Sequence, residues 1–215
     1  MISHHPLEET LAAFSLGKLD EGRALVVSSH LETCSSCQHL IAGIDNMAGA
    51  RLDALPNEGA NPSLKRNMLV KLDLMGAHQV DSHPTTSARH EMDFAPKSLR
   101  FYELGHWSWV SRGVYWRPVT LHSKRGARAF LLKAYPGTKL PRHTHTGTEL
   151  TLVLKGAFSH ELGRFAQGDL EDADHDRFHQ PIVESNEECV CLVAMEGQLR
   201  LLGFMAPLFQ PFVRI

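Results

Sequence analysis

Cysteine is scarce in this sequence, and neither sign of charge dominates it. The 215 residues include four cysteines, in the close pairs Cys34/Cys37 and Cys189/Cys191. Two such pairs make a poor disulfide framework for a chain of this length, so metal binding or redox chemistry is the better expectation. The 22 basic and 24 acidic side chains give a formal net charge of -2. We therefore expect no direct binding to nucleic acid or anionic lipid, and a protein or small-molecule partner instead.

Long apolar runs are missing as well. No stretch approaches the roughly 20 apolar residues that a membrane-spanning helix requires. The opening residues 1–5 have neither a basic region nor an apolar core, so they are unlike a secretory signal. We expect a cytoplasmic protein without membrane contact.

The pattern of apolar residues divides the chain into three parts. Residues 1–78 show helical periodicity. Residues 79–98 lose this periodicity and are rich in Ser, Thr and Pro, which predicts an interdomain linker. Residues 99–215 contain short apolar or alternating runs separated by glycines, which predicts an all-β barrel or sandwich.

Four amphipathic helices are expected in residues 1–78, the second after an Asp20 N-cap and the fourth from Pro62. The third starts near Ser35 or Ser36, and its expected buried side consists of Leu40, Ile41, Ile44, Met47, Ala48 and Leu52. The apolar stripe of the fourth consists of Leu64, Met68, Leu72 and Met75. Three short helices offer little core to cover this last stripe, so it either packs within its own bundle or binds a partner.

The first chemical motif is His30-x₃-Cys34-x₂-Cys37. Residues three and four apart are neighbours on helical turns, so these side chains can converge on one ion. A tetrahedral shell needs a fourth ligand, which His4 or His5 would supply by bringing the N-terminus back across the bundle. A closed shell of two cysteines and two histidines suits structural zinc and leaves no position for substrate.

A second set of candidate ligands lies more than a hundred residues further on and contains no cysteine. His143 and His145 are two apart, so both face the same side of a strand, and Glu149 lies an even number of residues beyond them. His179 and His175, further on, are both candidates for a fourth ligand. Such a shell can hold zinc, manganese, iron or nickel, which leaves the metal open.

The two motifs in this order resemble the zinc-binding anti-sigma factors, and within them the ChrR type. Gly137-x₅-His143-x-His145-x₃-Glu149-x₆-Gly156 is similar to a first cupin motif. The resemblance implies an α+β multidomain protein, with an N-terminal zinc-stabilised helical bundle followed by an all-β cupin barrel. It also implies two ligand sets, the first holding zinc and the second holding zinc or another divalent transition metal: His5, His30, Cys34 and Cys37; and His143, His145, Glu149 and His179.

The function that this resemblance implies is regulatory and not enzymatic. The helical domain would bind and inhibit a group IV (extracytoplasmic-function) sigma factor, and the cupin would release it on oxidative stress such as singlet oxygen. Cys189 and Cys191 are expected to pack in the core, with oxidant sensing by the two thiols as the alternative. The alternative is a dioxygenase-like, metal-dependent cupin enzyme with a helical docking domain. It has little support near the metal, because Arg142 and Arg177 are more simply surface residues.

Overall fold

The computed structural model describes residues 2–56, 59, 61–75, 92–123, 126–173, 180–184, 186–197 and 199–201. Four α-helices come first: α1 Glu8–Ser15, α2 Glu21–Leu31, α3 Ser35–Asp53 and α4 Pro62–Met75. A 3₁₀ helix, Ser98–Phe101, then leads into the strands. The predicted starts of α2 and α4 are confirmed, since the Asp20 carboxylate caps α2 by accepting a hydrogen bond from the Arg23 amide at 3.1 Å, and α4 begins at Pro62.

The described strands form antiparallel sheets. They are β1 Glu103–Leu104, β2 Ser108–Ser111, β3 Val114–Thr120, β4 Arg128–Ala134, β5 His143–His145, β6 Glu149–Lys155, β7 Ala157–His160, β8 Gly163–Ala166, β9 Leu170–Ala173, β10 Ile182–Val183, β11 Cys189–Met195 and β12 Leu199–Leu201. The largest sheet has the order β1-β3-β4-β11-β6-β9, with β2 beside β3. Two smaller sheets have the orders β10-β7-β8 and β12-β5. Helices followed by antiparallel strands confirm the predicted α+β class.

Strand β11 lies at the centre of the largest sheet and is buried along its whole length. Cys191 and Val193 belong to the main apolar cluster, together with Phe130 and Phe158. Leu192 is fully buried on the opposite face, since successive side chains of a strand alternate. Helix α2 contacts β11, β6 and β4, so this sheet has an apolar layer on both faces.

The chain forms two compact units, which are residues 1–44 with 94–215, and residues 45–93. Helices α1 and α2 thus pack in the same unit as the strands. The division into domains 1–78 and 99–215 stays a prediction, and most of the predicted linker 79–98 lies outside the described residues.

The buried side predicted for α3 is wrong for Leu40, Met47, Ala48 and Leu52, which are exposed, whereas Ile41 and Ile44 are half-buried. Met47 and Leu52 are 77% and 68% exposed, and the buried residue of this helix is Cys37. A periodic apolar stripe indicates an amphipathic helix, but the stripe becomes buried only where a second apolar surface packs on it. The stripe of α4 is exposed in the same way, since Leu64 and Leu72 are 55% and 60% exposed. The two predicted roles of this stripe, packing within its own bundle and binding a partner, stay predictions.

Candidate metal centre

The end of α2 and the start of α3 bring three of the predicted ligands together. His30 lies in the last turn of α2, and its backbone carbonyl accepts a hydrogen bond from the Cys34 amide at 3.1 Å. The chain turns at residues 32–33, and α3 begins at Ser35, so that Cys37 lies in its first turn. The His-x₃-Cys-x₂-Cys spacing therefore spans a helix-helix junction, as the sequence predicts.

The N-terminal segment adds His5 to this group. The Nδ1 atom of His5 lies 3.3 Å from the Cys34 Sγ and 3.4 Å from the Cys37 Sγ. The Nε2 atom of His30 lies 3.3 Å from the same Cys37 Sγ. One ligand atom from each of the four residues lies within 4.8 Å of the others, in the single such group found among the described residues. His30, Cys34 and Cys37 are buried, whereas His5 is exposed.

The spacing of these atoms fits a tetrahedral zinc ion. Zinc bonds of about 2.0 to 2.3 Å in a tetrahedron put neighbouring ligand atoms about 3.3 to 3.8 Å apart. The three nitrogen-sulfur distances given above, which are 3.3, 3.3 and 3.4 Å, lie within this range. The donor set of two thiols and two imidazoles is also one that structural zinc sites use.

The electrostatics of the group favour a bound cation. Burial raises the pKa of the Cys37 thiol to about 12, and its hydrogen bond with Cys34 adds to this effect. Burial lowers the pKa of His30, which keeps its imidazole neutral and able to bind a metal. The neutral imidazole of His30 supplies no positive charge that would stabilise a thiolate at Cys37. A divalent cation would supply that charge and allow the thiols to ionise.

His4 does not join the group, although the spacing alone allowed it. Its ring packs on Phe165 with a centroid distance of 4.1 Å, and its Nδ1 lies 3.6 Å from the Asp169 carboxylate. Of the two candidate histidines, the structure therefore places His5, which the family resemblance favours, beside His30 and the two thiols.

Contacts from the barrel support the group, and sequence reasoning missed them. The Nδ1 atom of His30 lies 2.9 Å from the backbone carbonyl oxygen of Gly168, in the turn between β8 and β9. The neighbouring Asp169 carboxylate accepts hydrogen bonds from the amides of Ser3, at 2.6 Å, and His4, at 3.0 Å. Burial alone would raise the pKa of Asp169, but hydrogen bonds from these amides and that of Ala166 outweigh it and lower the pKa. The Gly168-Asp169 pair is visible in the sequence, but nothing local links it to a site more than a hundred residues earlier.

The predicted cupin ligands are only partly within the described residues. His143 is buried on β5 and its Nδ1 lies 2.7 Å from the Pro141 carbonyl oxygen, while Glu149 begins β6 and accepts a hydrogen bond from the Thr151 hydroxyl at 2.8 Å. His145 ends the same strand, two residues after His143. His179 and its alternative His175 lie outside the described residues. This second ligand set therefore stays a prediction.

The thiols of Cys189 and Cys191 are buried in the core with their sulfur atoms 3.7 Å apart. The hydrogen bond with Cys189 raises the pKa of Cys191, and burial and the charges of Glu171 and Glu149 raise it further. A thiol held in its protonated form is a poor nucleophile. The predicted role in core packing therefore agrees with the structure.

Comparison with known proteins identifies the family. Residues 100–199 match the model of the ChrR cupin-like domain. The whole chain is 34% identical over 219 residues to the anti-sigma-E factor ChrR of Cereibacter sphaeroides, and the match covers 99% of that protein. A chain in the crystal structure of Rhodobacter sphaeroides SigE in complex with the anti-sigma ChrR matches with a TM-score of 0.71 and 29% identity, covering 91% of this chain and 100% of that one.

The similarity extends through the helices as well as the barrel, so it covers the regions of both motifs. Within the described residues, no helix is long and apolar enough to cross a membrane. The resemblance predicted from the two ligand motifs is confirmed, and the chain belongs to the ChrR family of anti-sigma factors.

Proposed function

We propose that this chain is an anti-sigma factor that binds a group IV (extracytoplasmic-function) sigma factor and keeps it from core RNA polymerase. The observation that carries the proposal is the full-length similarity to the anti-sigma-E factor ChrR, because it spans the helices and the barrel together. The same similarity supports a regulatory rather than an enzymatic role. A chain with a net charge of -2 has no general attraction for DNA, so it acts on the sigma factor directly. Its partner works in the cytoplasm, which is where we place this protein.

The surface that would bind the sigma factor lies in residues 45–75. Within this segment the exposed large apolar side chains are Met47, Leu52, Leu55, Leu64, Met68, Leu69, Val70, Leu72 and Leu74. Single exposed apolar residues are ordinary, but so many in one short segment are typical of a protein-binding surface. Amphipathic helices commonly bind a partner by burying such a stripe in an apolar groove.

Zinc at His5, His30, Cys34 and Cys37 would act as a scaffold for this function. The closeness of the four ligand atoms supports this assignment, and a closed shell of protein ligands leaves no position for substrate. The ion would join the N-terminal segment, α2 and α3 at one point. Structural zinc contributes roughly 10 to 16 kcal/mol in small zinc peptides, which is comparable to the stability of a whole domain.

The barrel would control release of the sigma factor. A divalent metal, zinc or another, held by His143, His145, Glu149 and His179 is the proposed sensing element, with oxidants such as singlet oxygen as the signal. Helix α2 contacts β11 and β6, and it carries His30 in its last turn. A change in the barrel can therefore reach the helices through packed elements that both regions share.

Charge substitution in the apolar stripe of α4 tests sigma binding. The variant Leu64→Glu/Leu72→Glu should weaken binding by roughly 30-fold or more, since loss of an interface hot spot costs about 2 kcal/mol or more. The assay is calorimetric titration of the native sigma factor with the full chain, together with transcription from a promoter that depends on that sigma factor.

The matched control is Leu162→Glu, because Leu162 is a similarly exposed leucine, at 51%, between β7 and β8. This variant should bind the sigma factor like the unmodified chain. Circular dichroism should show that both variants keep their helices. Equal binding by the two variants would contradict the assignment of the α4 surface, and no inhibition by the unmodified chain would contradict the function itself.

A further inference from the structure

The turn between β8 and β9 holds the residues that immediately precede His5. The Asp169 carboxylate accepts hydrogen bonds from the Ser3 amide at 2.6 Å and the His4 amide at 3.0 Å through the same oxygen. The Ser3 hydroxyl lies 3.2 and 3.3 Å from the two carboxylate oxygens. On the other side of the segment, the Leu170 amide donates to the His4 carbonyl at 3.1 Å. Residues 3 and 4 are thus fixed at several backbone atoms.

Asp169 is itself held rigidly. Its side chain is almost fully buried, with the residue 2% exposed, and its second oxygen accepts a hydrogen bond from the Ala166 amide at 2.8 Å. Buried carboxylates that accept hydrogen bonds from backbone amides form strong, well-directed contacts. The N-terminal segment therefore follows the position of this turn.

The same turn contacts a second ligand. The carbonyl oxygen of Gly168 lies 2.9 Å from the Nδ1 atom of His30. A carbonyl oxygen can only accept, so the Nδ1 atom of His30 carries the proton and donates. The Nε2 atom, 3.3 Å from the Cys37 Sγ, is then left with its lone pair for a metal. Gly168 thus contacts the ring of His30, and its neighbour Asp169 contacts the two residues that precede His5.

We propose that Gly168 and Asp169 form a positioning element for the metal centre, in which Asp169 fixes the segment that carries His5 and Gly168 fixes the ring of His30. The inference rests on the proposed zinc binding by His5, His30, Cys34 and Cys37. Its consequence is that the barrel sets the metal affinity of the helical region. By linkage, metal bound at this centre also stabilises the contact between the N-terminal segment and the barrel.

Metal affinity measured on the full chain tests this element. Cobalt(II) is the probe, because its charge-transfer absorption with thiolate reports only on a site with cysteine ligands. Loss of groups that orient metal ligands typically costs about 10- to 100-fold in affinity. Asp169→Ala should weaken cobalt binding by that factor. Asp169→Asn keeps one carbonyl oxygen for the Ser3 and His4 amides, so its affinity should lie closer to that of the unmodified chain.

Glu21→Ala is the matched control. The Glu21 carboxylate also joins the helices to the barrel region, accepting hydrogen bonds from the amides of His122, at 3.1 Å, and Ser123, at 2.6 Å. Glu21 lies at the opposite end of α2 from His30, about 13 Å away at 1.5 Å per residue. Asp169→Ala and Glu21→Ala should both unfold at a lower urea concentration than the unmodified chain when metal is absent. Only Asp169→Ala should weaken cobalt binding.

A second variant keeps the barrel intact. Ser3→Pro removes the amide hydrogen that Asp169 accepts at the shortest distance, and it should also weaken cobalt binding. Unchanged affinity in both Asp169→Ala and Ser3→Pro, or an equal loss in Glu21→Ala, would overturn the positioning role while leaving the metal centre in place. If the unmodified chain shows no absorption that Cys34→Ser removes, the metal centre and the positioning role both fail.

Discussion

Replacing Gly22 with alanine should destabilise this protein, although alanine is the better residue for a helix. Gly22 is buried in the first turn of α2. A Cβ atom at this position would lie 2.7 Å from the carbonyl oxygen and 3.3 Å from the carbonyl carbon of Ala127, just before β4. Both partners are backbone atoms, so neither can rotate away. The helix would have to move off the barrel to restore an ordinary contact.

The expected size follows from two opposing effects. Alanine is favoured over glycine by at most about 1 kcal/mol within a helix. Overpacking in a tight contact costs typically about 1 to 3 kcal/mol. We therefore expect Gly22→Ala to lower the free energy of unfolding by about 1 kcal/mol.

Gly43→Ala is the control, because a Cβ atom there has nothing within 4 Å. Gly43 lies on the exposed surface of α3, so its replacement should raise the free energy of unfolding by up to about 1 kcal/mol. The assay is urea denaturation of the metal-loaded chain, followed by tryptophan fluorescence and far-ultraviolet circular dichroism. Stabilisation of similar size by both substitutions would refute the close packing of α2 on the barrel.

Two further predictions concern the barrel and its contact with α2. Leu192→Ala should lower the free energy of unfolding by about 3 to 5 kcal/mol in urea denaturation, because Leu192 is fully buried, whereas Leu162→Ala at the surface should change it by less than about 0.5 kcal/mol. Burial alone would raise the pKa of Glu21, but hydrogen bonds from Ser123 and His122 lower it overall. The ionised carboxylate therefore stabilises the fold at pH values above the ordinary pKa of 4.5. The difference in unfolding free energy between the unmodified chain and Glu21→Gln should therefore be present at neutral pH and be lost as the pH falls through the lowered pKa of Glu21 in the folded state; a difference independent of pH would contradict the role of that charge.

The metal motif was predictable because it is local. His30, Cys34 and Cys37 lie within eight residues on helical turns, so their spacing alone predicts that they meet. His5 needed the family resemblance, since spacing gave no reason to prefer it to His4. The structure separates the two histidines through Phe165 and Asp169, which hold His4 away from the thiols.

The supporting contacts were beyond sequence reasoning for a physical reason. His30 and Gly168 are 138 residues apart, and the contact uses a backbone carbonyl oxygen that every residue type possesses. Burial on α3 was misjudged for a related reason, because the apolar stripe that includes Met47 and Leu52 carries no information about whether it packs within the chain or on a partner. Periodicity predicts local structure, and packing between distant segments decides the rest.

Removal and restoration of metal tests the central claim, which is that an ion at His5, His30, Cys34 and Cys37 organises the helices for sigma binding. The full chain is stripped with a chelator under reducing conditions, and its binding to the native sigma factor is measured by calorimetry before and after zinc is added back. We predict that the stripped chain loses binding, that zinc restores it, and that zinc fails to restore it in Cys34→Ser. A metal-free chain that binds the sigma factor with unchanged affinity would contradict the account.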